Sequence, residues 1–305
     1  MENSTLNVVI WCVVGFYAVF TATTGSIDMD KISDAAQGIK MVLAVLFLIC
    51  FVVPHGLRQY GGKTMLVFFL ISFVVSWCYE SLSIATGFPF GNYYYSDQLG
   101  PKLGAVPLAI MPAYFTVCYQ SWLLAHVLLN KTSTGLDRRT KFAIPFVASF
   151  IMVIWDMVMD PVTATVQGIW VWEEGGAYFG VPVSNFLGWF LCVYTIFQLL
   201  SVYLFVAKPE HINTAKGTKA PWYQAAGMYG CLALSAFVQA AFHKDSGPVY
   251  DGAGVEWDID SIKESMGLVA LVTEAFVVVV CVLKVWSRSE EEEEEEAGLP
   301  PAKSV

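Results

Sequence analysis

Eight long apolar blocks dominate this 305-residue chain, at approximately 6–25, 38–54, 64–86, 105–129, 141–160, 182–207, 222–242 and 265–287. A helix that crosses a bilayer needs about 20 mostly apolar residues, and each block is close to that length. Short polar or Gly/Pro-rich segments separate them. The blocks predict an all-α fold, a polytopic transmembrane helical bundle of about eight spans. Composition excludes a soluble globular domain: 56% of residues are hydrophobic and 14% charged. No Lys or Arg precedes the first block, which argues against a cleaved signal peptide. We expect residues 1–288 to form one integral membrane domain.

The net charge of −9 says little about partners, because much of it sits in a run of seven glutamates at 290–296. Like-charge runs are solvated and disordered, so 289–305 reads as a disordered acidic tail. No nucleic acid is expected as a partner. The seven cysteines all lie in apolar blocks without CxxC spacing, and read as small core residues rather than a metal site or a disulfide framework. His55, His126, His211 and His243 are scattered and form no metal-binding pattern.

With eight spans, twelve Lys and Arg residues fall on the side of the termini and five on the other. Positive-inside bias then places both termini in the cytoplasm. The segments 87–104, 160–185 and 243–264 emerge together on the opposite face and carry most of the unusual chemistry.

That chemistry is acidic and aromatic. The stretch "VIWDMVMDP" (153–161) ends an apolar block with Asp156 and Asp160, which a spacing of four puts on one helix face, roughly 6 Å apart. An Asp at a helix centre costs about 2.5–3.5 kcal/mol on insertion scales. Ionisable groups inside a membrane usually face a cavity or pair with one another. Glu80 lies near the outer end of the third block, Asp97 in the loop that follows, and Asn185 at the start of the sixth block. Asp160, beside Pro161, reads equally well as an interface carboxylate, and for Glu173 and Glu174 that reading is the better one. Glu274 is deepest, near mid-membrane, with a hydrogen bond to Gln120, Gln198 or Gln239 as its structural alternative.

Two carboxyl groups held close in a low-dielectric site cannot both ionise easily, so one keeps its proton near neutrality. Such a group can act as a general acid. Around these carboxyls stand Tyr93, Tyr94, Tyr95, Trp155, Trp170, Trp172, Tyr178, Phe179 and Trp189, more aromatics than an interfacial belt needs. Aromatic faces stabilise cations by about 2 kcal/mol or more when desolvated. An acid beside an aromatic wall suits protonation of an alkene to a tertiary carbocation, and a site at membrane depth suits a polyprenoid substrate.

The stretches "GFPFGNYYYSDQLGPKLGAVPL" (87–108) and "WDMVMDPVTATVQGIWVWEEGGAYFGVPVSNFLGWFL" (155–191) closely resemble the carotenoid biosynthesis membrane proteins of the CruF type, a family that includes carotenoid hydratases. The resemblance covers roughly residues 64–207. It implies acid-catalysed hydration of a terminal isoprenoid double bond, with a carotenoid or polyprenoid within the bilayer and water as the reactants. It requires no redox or organic cofactor. Other carotenoid or terpenoid biosynthetic membrane enzymes are the expected neighbours. The matching motifs carry Tyr93, Asp97, Lys102, Asp156, Asp160, Trp172, Gly176, Asn185 and Trp189. From the chemistry, Asp156 or Asp160 is the first choice as proton donor, Glu80 and Asp97 are second choices, and Asn185 is placed to bind water. Lys102, Glu274 and the aromatic residues named above are the candidates for contact with substrate. A carotenoid or terpenoid cyclase shares the protonation step, and a proton-coupled transporter of a lipophilic substrate is the alternative from another class. No inverted repeat supports the transporter.

Overall fold

The structure is a computed structural model that describes residues 2–27, 33–131, 136–208, 218–242 and 247–288. The acidic tail at 289–305, together with His211 and His243, lies outside the described residues. The chain is an all-α transmembrane bundle. Helix α1 spans Glu2–Gly25, α2 Asp34–Thr86, α3 Ile110–Leu128, α4 Thr140–Asp160, α5 Val183–Ala207, α6 Ala220–Phe242, α7 Ile259–Ala270 and α8 Phe276–Trp286. A π-helical turn, Pro161–Val166, extends α4, and a second, Leu271–Ala275, joins α7 to α8. Six of these helical stretches are long and apolar enough to cross a membrane, fewer than the eight blocks. The difference has two physical causes.

The first is α2, whose 53 residues contain two blocks. At Gly61 the backbone turns to φ 74° and ψ 164°, a region open essentially only to glycine. There the helix doubles back. Met41 and Glu80 line one and the same cavity, whereas in a straight helix their separation would be roughly 58 Å. Gly38, near the start of α2, likewise lies against Gln98, which follows its end; a Cβ there would come within 2.0 Å of the Gln98 carbonyl oxygen.

The second is α3. Its sides are buried by α2, α4, α5, α6 and α8, so no lipid selects for a uniformly apolar surface, and Tyr114, Gln120, Ser121 and His126 are all buried on it. Lipid-facing helices show the opposite order, with Phe16, Val19, Leu187, Val206 and Phe276 exposed. Cysteines follow both patterns: Cys118, Cys192, Cys231 and Cys281 are buried as expected, but Cys12, Cys50 and Cys78 are exposed. The last helix also starts earlier than its apolar block, at Ile259, because Asp258 caps it by accepting from the Ser261 N–H at 2.8 Å.

Three short antiparallel pairs order the connecting segments. Strand β1 (Tyr93–Tyr95) pairs with β4 (Trp170–Trp172), β2 (Lys102–Leu103) with β3 (Val106–Pro107), and β5 (Pro248–Tyr250) with β6 (Glu256–Asp258). The segments 87–104 and 160–185 are thereby stitched together. The third is laid on them: a Cβ on Gly252, in the β5–β6 turn, would meet the Trp172 carbonyl oxygen at 2.1 Å.

We expect Gly61→Ala to destabilise the protein by about 1–3 kcal/mol, read as a lower midpoint of thermal unfolding in detergent; an unchanged midpoint would mean that the reversal does not depend on the glycine.

Candidate active site

Strand pairing decides which loop aromatics face inward. In the β1–β4 register Tyr93 opposes Trp172 and Tyr95 opposes Trp170. Side chains alternate between the two faces of a strand, so Tyr93, Tyr95, Trp170 and Trp172 are buried together while Tyr94 is 49% exposed on the other face. Tyr94 therefore does not line the cavity. The inward faces meet the adjoining ends of α2, α3, α4 and α5 around a cavity of about 40 Å³. Its polar lining is Glu80, Asn185 and the tyrosines Tyr93, Tyr95 and Tyr114, and its walls include Trp155, Trp170, Trp172 and Trp189. The Trp189 ring stacks on Tyr114 with centroids 4.4 Å apart, and Trp155 meets Trp189 edge-on at 6.1 Å.

Glu80 is 2% exposed, and three phenols donate to it. Tyr93 and Tyr95 donate to Oε2, the latter at 2.9 Å, and Tyr114 donates to Oε1 at 2.7 Å. Burial pushes the Tyr93 and Tyr95 hydroxyls well above the ordinary phenol range. Both hydroxyls thus stay protonated and remain donors.

Asp156 and Asp160 share one face of α4, and Asn185 bridges them. Its Nδ2 donates to Asp156 Oδ2 at 3.1 Å and to Asp160 Oδ2 at 2.6 Å. All three residues are buried. Among the described residues Asp156 Oδ1 has no hydrogen-bond partner. Asn185 lines the cavity but neither aspartate does, so the carboxyl pair stands one side chain behind the wall. Glu80 is the carboxyl that the cavity meets directly.

Other candidates fall elsewhere. Asp97 is fully exposed and pairs with Lys102 at 3.0 Å. Lys102 also donates to the Tyr95 carbonyl oxygen at 2.9 Å, bracing β1 from outside the cavity. Tyr178 and Phe179 pack toward α5 and the β5–β6 hairpin, against Phe186 and Trp257 respectively. Burial raises the Tyr178 hydroxyl to about 12. Glu173 and Glu174 are exposed, as the loop reading expects.

Glu274 is fully buried and lines a second, larger cavity of about 180 Å³. No glutamine satisfies it: Gln120 donates to Thr116, Gln198 to Lys141 and Gln239 to Ser235. Met41, Ala113, Trp155 and Met159 line both cavities, so the two adjoin. Among the described residues no group of His, Cys, Asp and Glu is arranged to hold a metal ion.

Tyr114 is the functional candidate that sequence reasoning missed. A tyrosine inside an apolar block carries no local signal that it will face a carboxyl 34 residues away.

Three comparisons place this geometry among known proteins. The family model described as "Carotenoid biosynthesis protein" matches residues 36–254, more than half of the chain. Bisanhydrobacterioruberin hydratase of Haloarcula japonica is 32% identical over 113 residues, which are 37% of this chain and 36% of that protein. The match thus spans little more than a third of the relative's length. No solved structure matches the chain.

We expect Asn185→Leu to cost on the order of 3 kcal/mol or more, because two buried carboxyls lose their shared donor. Tyr94→Phe, on the exposed face, is expected to be neutral. Thermal unfolding of both variants in detergent checks the contrast; equal midpoints would remove Asn185 from its bridging role.

Proposed function

From the premise that the chain belongs to the carotenoid biosynthesis protein family, we propose that it hydrates the terminal carbon–carbon double bond of an acyclic carotenoid, with Glu80 as the proton donor. The observation that carries the assignment is that Glu80 alone, of the carboxyls Glu80, Asp97, Asp156 and Asp160, lines the aromatic cavity. Its phenol partners add to the argument. Alkene protonation is hard because a neutral acid must leave a carboxylate behind, and three phenols aimed at Glu80 stabilise that anion.

Each step balances. The Glu80 O–H bond breaks, the alkene's π pair forms a C–H bond at the less substituted carbon, and a tertiary carbocation remains. Trp155, Trp172, Trp189 and Tyr114 surround the space where that charge develops, and their ring faces attract it. A water lone pair then forms the C–O bond, and the oxonium returns its extra proton to Glu80. The acid is regenerated, so no proton is consumed beyond those in the water added. Asn185 commits both N–H donors to Asp156 and Asp160, which leaves its carbonyl oxygen to orient that water. The aspartate pair is in this reading a positioning device, one proton shared between two carboxyls, and not the acid itself. Similarity to a carotenoid hydratase over part of the chain supports water as the species that captures the cation.

Expression in cells that accumulate lycopene, followed by mass spectrometry of the pigments, tests this directly. Wild-type protein is expected to add the mass of one or two waters, and Glu80→Gln to abolish the gain while still inserting in the membrane. Asp156→Asn and Asp160→Asn are expected to lower turnover without abolishing it. A fully active Glu80→Gln beside a dead Asp156→Asn would return the acid to the aspartate pair. An unchanged mass with an altered absorption spectrum would make the cation close a ring instead.

A further inference from the structure

The larger cavity contains a carboxyl that the chemistry above leaves unused. Hydration regenerates its own acid, so the reaction needs no second proton source, and Glu274 lies in the larger cavity rather than the smaller one that holds Glu80. Yet Glu274 is fully buried, and among the described residues neither of its side-chain oxygens has a hydrogen-bond partner. A buried polar group without a partner is destabilising, the more so for a carboxyl in a low-dielectric interior. The backbone that carries it is unusual as well: Glu274 sits in the π-helical turn Leu271–Ala275, and such turns inside α-helices are frequent at functional sites. Around it the cavity walls are largely apolar and aromatic, with Tyr17, Leu48, Val117 and Leu232 among them, and Lys40, Lys263, Gln37 and Gln239 belong to the polar part of the same lining.

Building on the isoprenoid-substrate reading, we propose that the larger cavity holds the substrate's chain and that Glu274 recognises a hydroxyl group borne on it. The two cavities adjoin through Met41, Ala113, Trp155 and Met159, so one extended molecule fits across both, its alkene at Glu80 and its chain along α1, α6 and α7. The chemistry selects a hydroxyl. A protonated carboxyl offers one donor and one free acceptor. A hydroxyl matches both at once, a ketone answers only the donor, and a pure hydrocarbon answers neither. A site built to bond a hydroxyl discriminates strongly against the analogue that lacks it, because its own polar group is then left unpaired. Glu274 is thus a specificity residue, and the substrate class narrows from acyclic isoprenoid to acyclic isoprenoid alcohol.

The test uses full-length protein in lipid nanodiscs. Lycopene serves as the reference ligand, followed by quenching of tryptophan fluorescence, since Trp155 lines both cavities. Acyclic isoprenoid alcohols and the hydrocarbons of the same chain length compete with it. Wild type and Glu274→Gln, whose amide also donates and accepts, are expected to prefer each alcohol over its hydrocarbon by roughly tenfold. Glu274→Leu and Glu274→Met are expected to lose that preference. No alcohol preference in the wild type, or one that survives in Glu274→Met, overturns the proposal without recourse to a variant that fails to fold. Gain of water by the isoprenoid alcohols themselves is scored separately. Alcohol preference without any water gain by those alcohols would overturn the hydratase reading and leave the role of Glu274 standing.

Discussion

A carboxyl group buried in a membrane protein has to find its donors inside the fold, because lipid supplies none. Glu80 finds three, two from a loop strand and one from a neighbouring helix. Tyr93 and Tyr95 bring the loop strand β1 down onto α2, and Tyr114 ties α3 to the same point. Once β1 is fixed, β4 is fixed through its pairing, and with it Trp170 and Trp172. The Trp172 backbone in turn supports the turn between β5 and β6. Much of this end of the bundle therefore depends on one carboxyl and its phenols.

A second polar knot lies close by and does different work. Asn185 holds Asp156 and Asp160 through a single amide nitrogen, so α4 and α5 are joined at the level of the cavity. Both knots are acidic, but they differ in what surrounds them. Glu80 is met by hydroxyls and by open space, whereas the aspartates share one amide and do not line the cavity. That difference in surroundings is the ground on which the proposed mechanism gives them different roles. The family's chemistry, carried on carotenoids, fits a cavity whose walls are rings and whose polar groups are few.

Helices were the legible part of the sequence, because apolar runs report burial in lipid directly. Where lipid was not the neighbour, the run still marked the helix of α3 but not the burial of its polar side chains. In α3 the polar side chains Tyr114, Gln120 and His126 are buried against protein, and a hydropathy reading has no means of telling them from interfacial residues. The early start of α7 escaped for the same reason: "IDSIKES" is polar, and a cap rather than an apolar run begins the helix. The carboxyls were legible as costs, since Asp156, Asp160, Glu80 and Glu274 stand out in apolar blocks. Their placement was not, because a sequence does not tell which side chain reaches the cavity and which stands behind Asn185. Asp97 and Lys102 show the converse. They share a motif with Tyr93 and Tyr95, yet they point outward and pair with each other.

Strand β1 imposes a limit of another kind. Tyr93 and Tyr95 face Glu80 while Tyr94 between them faces away, and Trp170 and Trp172 obey the same alternation on β4. Adding or removing one residue in either strand would invert the whole pattern, turning the inward rings out and leaving Glu80 without two of its donors. Replacement of Tyr94 or Val171 leaves that parity untouched. The segment is thus far more tolerant of changed letters than of changed length, and its history should be one of substitutions without single-residue insertions or deletions.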